Sequence, residues 1–133
     1  MKHVFVATLT AAFFVATSAA ANPNAGLEIM TRHKLAAADA EALIAIVNCE
    51  SGFRQYDQNG NLLRNQTVKD VVGIMQLHSR FHPAPEVIAA FNRRHGTTYS
   101  VGDFNIKNPE GNVDYGIILF KVQGLRPWSQ CVE

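Results

Sequence analysis

A glutamate stands where an apolar helix pattern leaves room for an aliphatic side chain. In Ile46-Val47-Asn48-Cys49-Glu50-Ser51-Gly52-Phe53, Glu50 lies at helical spacing from Val47, Ile46, Leu43 and Ala36 and continues their apolar stripe. Glu41 and Asn48 fall on the opposite face. Asp39 shares the stripe but stands near the helix start, where a carboxylate suits the positive end of the dipole. Glu50 has no such support, since it comes just before Gly52, a residue fitted to end the helix in a left-handed conformation. A carboxyl on an apolar face has its charged form disfavoured, which raises its pKa and equips it to donate a proton near neutral pH. The competing reading is a helix-end acid whose side chain swings into water.

The next reactive side chains are two thiols and two imidazoles. The chain opens with the basic Met1-Lys2-His3, an apolar run from Val4 to Ala16 and the small residues Ala19-Ala20-Ala21, which together read as an export signal cleaved after about residue 21. A retained membrane anchor is the alternative, but the run is short, carries Thr8 and Thr10 and has no positive charge close behind it. Export implies a periplasmic or secreted domain. In that oxidising setting Cys49 and Cys131 are expected to pair, closing a loop of about 80 residues worth roughly 4 to 5 kcal/mol by chain entropy. The alternative is two free thiols, one in the core and one on a frayed end. His78 and His82 have helix-face spacing but lack a third ligand, so no metal site is expected.

These groups must be positioned by a small domain. The 133 residues are 47% hydrophobic with a formal net charge of +1, which suits one globular unit and argues against a nucleic-acid partner. Residues 1–21 are assigned to the signal, 22–34 to a linker and 35–133 to the domain. A helix is expected from about Ala36 to Ser51. A loop or weak hairpin follows, turning at Asn59-Gly60 between arms 53–58 and 61–66. Pro83 and Pro85 introduce a helix from about Glu86 to His95, with Val87, Ile88 and Phe91 inward and Gly96 as the stop. The last helix takes Asn108 as cap and Pro109 in its first turn, and it runs to Gly124 through Val113, Ile117 and Phe120. The architecture is mostly α with at most a small β-hairpin.

Glu50-Ser51-Gly52-Phe53, a polar arm, Gly73-Ile74-Met75-Gln76, and then Asn108 to Gly116 (NPEGNVDYG) follow one another in an order that resembles the lytic transglycosylase and lysozyme-like superfamily. The likeness covers roughly Leu35 to Trp128. It implies a lysozyme-like single domain in which Glu50 is the catalytic acid and base. Ser51 stands beside it, and Gly73, Ile74, Met75 and Gln76 line a cleft for a peptidoglycan glycan strand. No cofactor is implied. Met75 would otherwise read as core filler. A two-carboxylate mechanism needs a partner for Glu50, and the candidates are Asp57 and Asp70. The c-type lysozymes carry their second acid two residues before the equivalent Gly. Asp70 stands three before, with Val71 in the expected place, and on a strand that slip turns the side chain to the other face. With one acid, the substrate's own N-acetyl group can hold the intermediate, and the resemblance implies attack by the sugar's 6-hydroxyl to leave a 1,6-anhydro end.

Many members of the superfamily carry a late Ala-Tyr-Asn motif whose Tyr leans on the catalytic Glu; this chain ends in Pro-Trp-Ser-Gln-Cys. Tyr115 or Trp128 is the candidate for that space. Otherwise Tyr115 is ordinary packing, and Trp128 is either core cover or a stacking surface for a sugar ring. Two further readings stay open beside the transglycosylase. One is a hydrolytic muramidase, and the other is a wall-binding or envelope-assembly protein with the same fold and little turnover. Similar small domains open the wall for secretion or conjugation machinery, but no residue here names such a partner.

Overall fold

The computed structural model describes residues 34–132; the expected export signal and most of the linker lie outside the described residues. The fold is mostly α with a small antiparallel β element. It comprises helix α1 (Ala37–Ser51), strands β1 (Val71–Val72) and β2 (Leu77–His78), helix α2 (Pro85–His95) and helix α3 (Pro109–Gln123), with short 3-10 segments at Val101–Asp103 and Arg126–Cys131. Val71 pairs with His78 and Val72 with Leu77.

Helix α3 is the centre. The Asn108 side chain accepts the Gly111 N–H at 2.7 Å, and Pro109 occupies the first turn where its missing N–H is harmless. From Gly111 to Leu119 every residue of α3 is buried except Asp114. Helix α2 packs on it through Val87, Ile88 and Phe91, as the apolar spacing predicts, and stops at Gly96. The C-terminal 3-10 segment packs on α1 and α3, held by the Cys49–Cys131 disulfide, which is formed.

Helix α1 corrects one expectation. Ala36 is the exposed N-cap residue rather than part of the stripe, and the buried positions are Ala40, Leu43, Ile46, Val47 and Ser51. Each residue advances the helix by about 100°, so by the last turn the centre of the stripe has moved to Ser51. Glu50 is left on its edge, half-buried.

The β element also differs from expectation. The turn at Asn59-Gly60 forms, but its arms pair only around the Tyr56–Leu62 bridge, where the Leu63 N–H donates to the Gln55 carbonyl at 2.9 Å and the Asp57 N–H to the Asn61 carbonyl at 2.8 Å. The second arm then lies along β1, joined by the Arg64–Val72 bridge and by the Gly73 N–H donating to Leu63 at 2.9 Å. The regular strands instead flank Gly73–Gln76. The polar arms have no alternating apolar face to bury, whereas Val72 and Leu77 are buried against the helices.

Candidate active site

Glu50 sits in the last turn of α1, which ends at Gly52 in a left-handed conformation with its N–H on the Asn48 carbonyl. Among the described residues no donor or cation reaches its carboxylate. Burial pushes the Glu50 carboxyl above the ordinary value of 4.5. Glu50 is thus a half-buried carboxyl whose charged form is disfavoured by desolvation.

Beside it the Gly73–Gln76 loop is held by side chains from four places in the chain. The Ser51 hydroxyl donates to the Ile74 carbonyl at 2.6 Å. Gln55 Oε1 accepts the Ile74 N–H at 2.9 Å, and Asn112 Oδ1 accepts the Met75 N–H at 2.8 Å. Trp128 Nε1 donates to the Met75 carbonyl at 2.7 Å. The Asn112 amide also donates to Ile106 at 2.7 Å and to Val72 at 3.2 Å. A tight loop in a core must find a partner for each backbone group, and here the N–H and carbonyl of both Ile74 and Met75 are met by side chains.

Gly73 makes this possible. Its φ is +77°, and a Cβ there would fall 2.3 Å from the Asn112 amide nitrogen and 2.7 Å from Gln55 Oε1. Phe53 (φ 61°) and Gln76 (φ 49°) are non-glycine residues in the same left-handed region, one just after α1 and one at the end of the Gly73–Gln76 loop. Such conformations cost of order 1 kcal/mol or more each and persist where surrounding packing fixes them.

The expected site residues divide accordingly. Ile74 and Met75 are fully buried, Ser51 is 4% exposed, and Trp128 is 2% exposed. They offer no surface to a glycan in this conformation, so Ser51 holds the loop, and Trp128 is core cover rather than a sugar platform. Gln76 is part-exposed, its amide donating to the Gly73 carbonyl at 2.9 Å. Asp70 is paired with Arg80 at 2.6 Å, and Asp57 Oδ1 accepts the N–H groups of Asn59 and Asn61 at 2.8 and 3.0 Å. Both candidates for a second carboxylate thus have local partners.

Tyr115 is fully buried on α3. Its oxygen accepts the Ala84 N–H at 2.9 Å and lies 2.7 Å from His82 Nδ1. Burial pushes the Tyr115 phenol up to about 12, the Ala84 bond opposing and Glu86 adding to the shift. Burial also lowers the His82 pKa, against the opposing pull of Glu86 and with a further lowering from His78. The Tyr115–His82 contact ties α3 to the segment entering α2. A hollow of about 300 Å³ between α2 and α3, with Phe91, Tyr99 and Ile117 in its lining, does not include Glu50.

Gln55 and Asn112 are the residues that sequence reasoning missed. For Asn112 a signal existed. It stands at helical spacing from Tyr115, Gly116 and Leu119, the same test that singles out Glu50. Gln55 lies in an irregular arm where no period applies.

Comparison of the chain with protein-family models, with curated proteins and with solved structures finds no match.

Proposed function

We propose that this chain is an exported peptidoglycan-cleaving enzyme, a lytic transglycosylase acting on the MurNAc-β-1,4-GlcNAc bond with Glu50 as general acid and base. The observation that carries the reading is Glu50 itself, half-buried, without a partner among the described residues, and raised in pKa by desolvation beside a rigidly clamped loop. The Glu50 carboxyl gives its proton to the glycosidic oxygen as the bond from that oxygen to the muramoyl C1 breaks. The N-acetyl carbonyl oxygen closes on C1 and holds the positive charge. Glu50, now a carboxylate, takes the proton from the 6-hydroxyl, whose oxygen attacks C1 and expels the acetamide oxygen. A 1,6-anhydro end results. The local engagement of Asp57 and Asp70 favours this one-acid route over a two-carboxylate muramidase.

The test is digestion of purified wall sacculi, followed by mass analysis of the released muropeptides. Anhydro products, lighter by one water than hydrolytic ones, are expected. Glu50→Gln should lower the rate at least ~100-fold while the fold is kept. Hydrolytic products would establish a muramidase, and wall binding without soluble fragments would establish an assembly protein. Full activity in folded Glu50→Gln would remove the mechanism.

A further inference from the structure

We propose that the groove between the hairpin arms binds a short acidic peptide, the branch that each muramoyl sugar carries; this identification of the peptide rests on the reading of Glu50 above. The groove has a volume of about 560 Å³ and is lined by Asp57, Asn61, Leu62, Leu63, Arg64 and Lys69. Its charge is unbalanced. Asp57 is the one carboxylate in the lining, and its Oδ1 already accepts two turn N–H groups. Asp70, the acid next to Lys69, is held by Arg80. Arg64 donates through one terminal nitrogen to the Lys69 carbonyl at 2.9 Å, which steadies the guanidinium and leaves the rest of its planar fork free.

Two cations over a half-buried leucine are suited to an extended chain that bears carboxylates. The fork of Arg64 matches a carboxylate bidentately, Lys69 supplies a point charge, and Leu62 offers apolar contact. Hydroxyls and acetamides of the glycan carry no charge to satisfy such a pair. The arm is also tied to the loop near Glu50: the Leu63 carbonyl accepts the Gly73 N–H at 2.9 Å, and the Ile74 carbonyl accepts from the hydroxyl of Ser51, the residue after Glu50, at 2.6 Å.

The experiment is a nuclear magnetic resonance titration of the protein with the soluble tripeptide L-alanyl-γ-D-glutamyl-meso-diaminopimelate. Its carboxyl-amidated form serves as the neutral probe. Shifts confined to amides of residues 55–72 are expected, with affinity falling at least tenfold for the amidated peptide and for Arg64→Ala/Lys69→Ala. Lys69→Glu, which alters an exposed side chain, should lose affinity as well and guards against a folding defect in the double variant. Arg93→Ala/Arg94→Ala removes the same charge from the end of α2 and should stay within twofold of the wild type. Equal losses in the two double variants, or shifts elsewhere than the arms, would overturn the groove. The same titration in Glu50→Gln separates the two readings. Peptide binding with no wall digestion by the wild type overturns the catalytic reading alone, and wall digestion without peptide binding overturns the groove alone.

Discussion

The loop beside Glu50 and the arms that lead to it belong to one stretch of chain, yet they are held in opposite ways. Around Gly73–Gln76 the backbone is buried and tied to Ser51, Gln55, Asn112 and Trp128, residues up to 53 positions away in sequence. From Tyr56 to Lys69 the backbone is joined by isolated bridges, and its polar side chains bond mostly to their own turn. Long-range bonding is thus concentrated in the loop that Ser51 ties to the end of α1, and the exposed arms are held mainly by local bonds. The difference teaches that buried amides can do in a small domain what a larger core does elsewhere, provided each one is fully bonded.

The most severe way to break the contrast is to release the tail that carries Trp128. The disulfide closes a separation of 82 residues, so its removal in Cys49→Ser/Cys131→Ser should cost about 4 kcal/mol, measured by urea unfolding. The tail also delivers the indole N–H to the Met75 carbonyl. Under native conditions wall-lysis rate should therefore fall with added thiol reductant before near-ultraviolet circular dichroism reports unfolding. Matching rate and melting temperature in the double variant would show that Trp128 packing alone holds the tail.

Two glycines compare the regions directly. Gly60 in the arms has φ +80° with nothing near a prospective Cβ, whereas Gly73 has φ +77° and would press that Cβ into Asn112 and Gln55. Gly60→Ala should cost only the conformational penalty, about 1 kcal/mol. Gly73→Ala adds the collision and the loss of clamp bonds, and should cost about 3 kcal/mol or more. Thermal unfolding of both variants measures the gap. Equal costs would mean that the clamp is slack.

Much of this framework was readable beforehand, and the exceptions share a cause. Helices α2 and α3 carry their own start and stop signals in Pro85, Asn108 and the glycines that follow them, so local chemistry specified them. The pairing of Cys49 with Cys131 followed from there being only two cysteines. What escaped was long-range and polar. Gln55 and Asn112 belong to residue types usually found in water, and only the tertiary fold reveals the backbone groups they meet at separations of 19 and 37 residues. Strands of two residues are too short to show a period. Ser51 was read as a neighbour of the acid, whereas its hydroxyl is the strut under the Ile74 carbonyl.

The smallest expected effect sharpens the comparison most, because it asks whether Glu50 belongs to the clamp or stands apart from it. A clamp residue replaced by a near-isostere should lose stability. Glu50 should not, since burial disfavours its charge and no described group is lost with it. The folded chain holds the Glu50 proton more tightly than the unfolded chain. Above pH 4.5 the unfolded chain releases that proton first, the folded state binds more protons than the unfolded one, and stability falls as pH rises through the raised folded value. Below 4.5 both states are protonated and the stabilisation is whole. Gln at this position does not titrate. The stability of Glu50→Gln relative to wild type should accordingly rise across that interval and level off above it, by less than about 1 kcal/mol for a side chain that water still reaches. Melting curves of the two proteins at half-unit steps from pH 3.5 to 8, read as about ten differences, would reveal the trend. A wild type that outlasts the variant at neutral pH would make Glu50 a structural acid, one more fixed member of the clamp beside it.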